Sequence, residues 1–187
     1  QDGHTKESLL GNADLAMYEA KQSGRNQAHF FTAAMQEHAN QRMTLEQDLR
    51  HALERNQLEV YYQPIASGQS GQVVGLEALL RWHHPERGLI PPDQFIPMAE
   101  ETGLIGSIGE WVLETACRQI QTLATSGHEL YLSVNISERQ RDLGLNAAAV
   151  SRVLAEHQMS PARLILEITE SLLIQDSEET VAWLQGF

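Results

Sequence analysis

Apolar and polar positions change period several times along the chain, and each change marks an element. Residues 12–23, NADLAMYEAKQS, keep helical spacing from a polar start, and Gly24 stands where a terminating glycine belongs. NQAHFF, 26–31, predicts a short strand, and a second helical pattern covers 32–55 with Leu45, Leu49, Ala52 and Leu53 on one face. LEVYYQPI, 58–65, and GLEALLRW, 75–82, read as strands joined through the turn chemistry of GQSGQ. HHPERGLIPP reads as a turn-rich loop, after which Asp93 is the expected N-cap of QFIPMAEET, ended by Gly103. A longer helix is expected over 107–125, with Leu113, Ala116, Ile120 and Leu123 at helical spacing and Gly127 behind it. ELYLSVNIS predicts a strand, followed by a capping box of Ser137 and Gln140. A helix over 146–158, a strand RLILEIT and a final helix opened by Ser177, Glu178 and Glu179 complete the pattern. From Leu130 the order is strand, helix, strand, helix, the mark of a parallel sheet with crossover helices.

Alternation sorts the strand residues by face, because side chains two apart point the same way. Glu77, Leu79 and Arg81 share one face, while Leu76, Ala78, Leu80 and Trp82 form an apolar one. Ser133, Asn135 and Ser137 lie opposite Leu132, Val134 and Ile136. Glu167 lies opposite Leu164, Leu166 and Ile168, and Gln63 shares a face with Tyr61. Three strands therefore each carry an oxygen ligand toward their carboxyl ends: Glu77, Asn135 and Glu167. Two carboxylates and an amide oxygen suit a hard divalent cation such as Mg²⁺ or Mn²⁺. Arg81, beside Glu77, has the planar fork that holds a phosphate. The same residues allow plainer roles: an ion pair or edge-strand charges for Glu77 and Arg81, and a helix cap for Asn135. Glu170, three residues past Glu167, either caps the next turn or supports a loop.

Composition narrows the partners. With 13 Lys and Arg against 25 Asp and Glu, the formal charge of −12 argues against a nucleic-acid polymer as ligand. A small anionic ligand then needs a metal ion or a local arginine to offset that charge. A single cysteine, Cys117, excludes an intramolecular disulfide, fits a reducing cytoplasm and reads as an inert core thiol. His83 and His84 form a pair without the separated ligands of a zinc site and read as loop residues. No apolar run is long enough for a membrane span. With Gln1 at its start and Phe187 inside a helical pattern, the sequence reads as a segment of a longer protein.

YYQPI, GLEALLRWHHPERGLIPPDQFIPMAEETGLI, SVNIS and LEITES stand in the order of the motifs of the EAL domain, and residues 40–187 resemble that family of cyclic di-GMP phosphodiesterases. ADLAMYEAKQSGRNQAHFF, 13–31, resembles the last helix and strand of a GGDEF (diguanylate cyclase) domain, without that family's signature loop. The resemblance implies an α/β fold: the first half of a (β/α)8 TIM-like barrel, incomplete, behind the short helix-strand tail of a preceding α/β domain. It divides the chain into a GGDEF remnant at 1–31, a linker helix at 32–55 and the N-terminal part of an EAL domain at 56–187.

For the site, the resemblance implies metal coordination by Glu77, Asn135 and Glu167, contacts to cyclic di-GMP from Gln63 and Arg81, and a catalytic loop braced by Glu170. The family's paired aspartates, lysine and later glutamate have no counterpart before Phe187, so the segment alone is expected to be inactive. A catalytically degenerate cyclic di-GMP receptor or regulatory interaction module is the competing expectation. The resemblance leaves room for a homodimer of the full-length parent, with any membrane anchor in upstream regions.

Overall fold

The computed structural model describes residues 5–22, 24, 26–125, 127, 129–168 and 178–187. It forms two compact units, Gln1–Arg50 and His51–Phe187.

In the first unit, helix α1 (Lys6–Gln22) packs on helix α2 (Ala33–Arg50). The start of α1 lies six residues ahead of the expected one, and local hydrogen bonds explain why. The Thr5 N–H donates to Ser8 Oγ at 3.0 Å and the Ser8 N–H donates to Thr5 Oγ1 at 3.2 Å, a reciprocal cap that satisfies two backbone donors. The strand expected over 26–31 does not form. Phe30 is 89 % exposed and no neighbouring strand pairs with the segment among the described residues, and an extended segment gains little without a partner. The second helix ends at Arg50, with turns over 51–56 in place of its last expected turn.

The second unit is a sheet in the order β1-β2-β4-β5, with a short β3 on the outer part of β2. Strands β1 (Leu58–Ala66) and β2 (Val73–His84) pair antiparallel, since the few residues between them permit only a hairpin. β3 (Gly88–Ile90) folds back on β2, pairing His83 with Leu89. The stretch expected as a loop is therefore the tip of a second hairpin, and both histidines belong to β2. Helices α3 (Pro92–Thr102) and α4 (Leu104–Thr125) lead to β4 (Tyr131–Ile136), which runs parallel to β2. Helices α5 (Glu138–Asp142) and α6 (Ala147–Glu156) and a 3-10 turn, Pro161–Arg163, lead to β5 (Leu164–Ile168), parallel to β4. A final helix α7 (Glu178–Gln185) closes the described chain.

Caps differ from expectation in detail. Pro91 and Pro92 begin α3, so Asp93 sits inside the first turn, where its charge favours the helix dipole. Gly103 ends that helix at φ 77°, a left-handed conformation that costs glycine little. The Ser137 N–H donates to Gln140 Oε1 at 3.0 Å, while Ser137 Oγ is buried without a hydrogen-bond partner. Half of the expected capping box is thus made.

Of the apolar strand faces predicted from alternation, that of β4 is buried, that of β2 is buried at Ala78 and Trp82 but half-buried at Leu76 and Leu80, and that of β5 (Leu164, Leu166 and Ile168) is half-buried. Ala78, Trp82, Leu132, Val134 and Ile136 pack with Ile108, Leu113, Ala116, Cys117 and Ile120 of α4 in the core. Trp82 is fully buried, edge-on to Phe95 with ring centroids 5.6 Å apart. Near the start of β2, the Tyr131 ring lies 2.5 Å from where a Cβ on Gly75 would stand, so no larger residue fits there. This layer holds the polar strand face open on the other side of the sheet.

Candidate functional site

Strand register assembles the polar face. Gln63 on β1 stands opposite Glu77 on β2, Glu77 is level with Ser133 on β4, and Asn135 is level with Glu167 on β5. Glu77 lies in the middle of β2. The parallel pairing with β4 ends one residue later, at Ala78 and Val134, so Glu77 sits at the carboxyl end of the parallel segment. All three proposed ligands therefore reach the same end of the sheet.

Side-chain contacts tie them together. Asn135 Nδ2 donates to Glu77 Oε1 at 2.9 Å. Ser133 Oγ donates to Glu167 Oε1 in a short charge-assisted contact. Ser133 is fully buried, whereas Asn135 and Glu167 are exposed and Glu77 and Arg81 are half-buried. The strands thus set two carboxylates and an amide on one accessible face, with one carboxylate fixed from below by a buried hydroxyl. Such a donor set fits a hard divalent cation. Turning the Asn135 amide would bring its oxygen to the position its nitrogen now occupies. Among the described residues, no group of three His, Cys, Asp or Glu side chains converges, so a site built here depends on the asparagine.

Farther along β2, Arg81 lies over the Tyr61 ring, 5.5 Å from its centroid, and donates through Nη1 to the Leu80 carbonyl at 2.8 Å. Gln63, exposed on the neighbouring strand, completes the set of expected substrate contacts within the described residues. Glu170 lies outside the described residues. Neither His83 nor His84 is a loop residue. His84 is buried, edge-on to Trp82, and its Nδ1 accepts from the Glu86 and Arg87 N–H groups at 3.2 Å each, which shapes the β2–β3 turn.

On the opposite, core face, burial pushes the Cys117 thiol up to about 11 and the Tyr62 phenol up to about 12. A thiol so placed stays protonated at neutral pH, in keeping with an inert core residue.

The family model of the EAL domain matches residues 46–187. The chain belongs to the EAL domain family. The EAL segment lies within a longer similarity to the bifunctional diguanylate cyclase/cyclic di-GMP phosphodiesterase MucR of Pseudomonas aeruginosa. That protein is 45 % identical over 185 residues, 98 % of this chain and 27 % of its own length. The cyclic di-GMP phosphodiesterase PdeR of Escherichia coli is 40 % identical over all of this chain and 28 % of its own length. Among solved structures, the PaMucR phosphodiesterase in complex with c-di-GMP is 44 % identical, with a TM-score of 0.67 over 76 % of this chain and 58 % of that one. The chain spans about a quarter of these two curated relatives. The neighbouring EAL structure supports the partial barrel read from the motifs.

The sequence reading placed Ser133 on the site face but assigned it no role. Its signal was available: a small hydroxyl two residues before Asn135 on a strand whose other face is wholly apolar. Which carboxylate it would meet depends on the register of β5, which strand alternation does not supply.

Proposed function

We propose that the protein carrying this chain hydrolyses one phosphodiester of cyclic di-GMP to a linear guanosine dinucleotide, with the EAL segment supplying part of the active site. The observation that carries this reading is the convergence of Glu77, Asn135 and Glu167 on one accessible face, with Asn135 2.9 Å from Glu77 and in register with Glu167. These three residues would hold Mg²⁺ or Mn²⁺. Bound there, the ion would supply activated water and stabilise the charge that develops at phosphorus. Ser133 orients the Glu167 carboxylate, and Arg81 offers N–H donors to a nonbridging phosphate oxygen while Gln63 offers its amide. Glu170, by the family resemblance, would brace a catalytic loop.

For a chain of formal charge −12, an anionic substrate is favoured only where positive charge is concentrated, and a metal ion held beside Arg81 would supply it. The alignment with the bifunctional relative reaches ahead of residue 46. That extent supports reading 1–31 as the end of a GGDEF domain and 32–55 as the linker helix. Cytoplasmic placement and a homodimer of the full-length protein belong to the same reading. Among the described residues no helix is long and apolar enough to cross a membrane.

The test is hydrolysis of cyclic di-GMP by the full-length protein with Mg²⁺, with Mn²⁺ and with chelator. Metal-dependent formation of the linear dinucleotide is the expected result, and the segment alone is expected to give none. Tight binding without turnover under every metal condition would replace the phosphodiesterase reading with a receptor.

A further inference from the structure

The antiparallel register sets Glu59 directly opposite Arg81 on the face that carries the candidate site. An acid and a guanidinium placed that way ordinarily form a cross-strand pair. Here they do not. Glu59 Oε2 lies 3.0 Å from His83 Nε2, and because a carboxylate only accepts, Nε2–H is the donor. Arg81 instead lies over the Tyr61 ring, and among the described residues it makes no ion pair. Tyr61 leans from its place opposite Leu79 toward the same end, with its phenol oxygen 3.5 Å from His83 Nε2 and the two ring centroids 6.0 Å apart.

We infer that His83 and Tyr61 are positioning residues for Arg81: His83 withholds Glu59, and the Tyr61 ring holds the guanidinium without neutralising it. The physical distinction is between two ways of fixing a cation. A carboxylate occupies the guanidinium fork and cancels its charge. An aromatic face attracts the same cation and leaves its in-plane N–H donors for another acceptor. Among the described residues only one of those donors is taken, by the Leu80 carbonyl. Arg81 is therefore kept ready for an anion. The identity of that anion as a cyclic dinucleotide phosphate rests on the function proposed above.

The groups are accessible, with Glu59 60 % and His83 44 % exposed, so the effect is modest. An exposed ion pair between Glu59 and Arg81 would compete with the anion by up to about fivefold. The experiment compares His83→Ala, Glu59→Gln and the double variant with wild type in the full-length protein. It reads the NMR resonance of the Arg81 Nε–Hε group without ligand, and KM and kcat for cyclic di-GMP.

In His83→Ala, the resonance is expected to move as Glu59 captures Arg81, and KM to rise roughly two- to fivefold with little change in kcat. Adding Glu59→Gln should return both to wild-type values, a rescue that a general loss of structure would not give. The inference is overturned if His83→Ala moves neither reading, or if its effect persists in the double variant. A wild-type protein that hydrolyses no cyclic di-GMP sinks the phosphodiesterase reading alone, because the Arg81 resonance tests His83 without substrate.

Discussion

Replacing Ser133 by alanine isolates what orientation of one carboxylate is worth. Ser133 is fully buried, and its hydroxyl donates to Glu167 Oε1. The substitution removes the donor but leaves no buried group stranded, since Glu167 is exposed and water can take the vacant place. Folding stability should therefore fall by no more than about 1 kcal/mol, with alanine's buried methylene-sized volume nearly unchanged. Metal binding behaves differently. A hydrogen bond to a charged partner is worth about 1.5–3 kcal/mol when its geometry counts in full. Loss of an outer partner of a metal ligand weakens the metal about 10- to 100-fold, or about 1.4–2.7 kcal/mol. The two estimates agree. The assay is a Mg²⁺ or Mn²⁺ titration of cyclic di-GMP hydrolysis by the full-length variant, alongside urea unfolding. A metal activation constant within twofold of wild type would refute the orienting role. A stability loss above about 3 kcal/mol would instead make Ser133 a packing residue.

Three other perturbations bear on the same architecture. Glu77→Gln keeps an oxygen that can accept from Asn135 and removes a charge from the proposed metal set; hydrolysis should fall by roughly a hundredfold or more with the fold intact, and near-normal turnover would remove Glu77 from the metal site. Trp82→Ala should cost about 3–5 kcal/mol, read as a lowered urea midpoint, because a fully buried ring packed on Phe95 leaves a cavity. Cys117 has its proton held to about 11 in the fold against 9.0 for the free thiol, so native protein binds more protons between those values. Stability from this group is full below about pH 9 and is lost as pH rises through about 11. Cys117→Ala should flatten that part of the pH–stability curve, and an unchanged slope would assign it to Tyr62 or elsewhere.

The parts of the fold visible in sequence are those that local chemistry determines. Alternation around Glu77, Asn135 and Glu167 separated apolar from polar strand faces because one face of each strand had no polar residue, but it did not foresee that Ser133 on the polar face is fully buried. The crossover order from Leu130 onward announced the parallel pairing of β4 and β5. The β2–β3 hairpin escaped notice because its three-residue return strand is too short for a period, and its histidines then looked like loop residues. Phe30 and Phe31 misled in the other direction, since aromatic content favours a strand only where a neighbour exists to receive it. Ser133 and Glu59 were legible as residues but not as partners: their contacts depend on the pairing of β5 with β4 and of β1 with β2.

The antiparallel β1–β2 pairing also orders the assembly of the site in time. Gln63, Glu77, Arg81 and the residues that flank Arg81 all belong to one local hairpin, whose closure needs only a short loop. Asn135 and Glu167 join through two successive crossovers, so their contacts must offset a larger loop-closure entropy. The arm proposed to bind substrate should form early and on its own scale of local stability, while the proposed metal set completes only when the parallel strands dock. Mild denaturation would then dismantle the site in reverse, separating Asn135 and Glu167 from Glu77 while the arginine arm still keeps its shape.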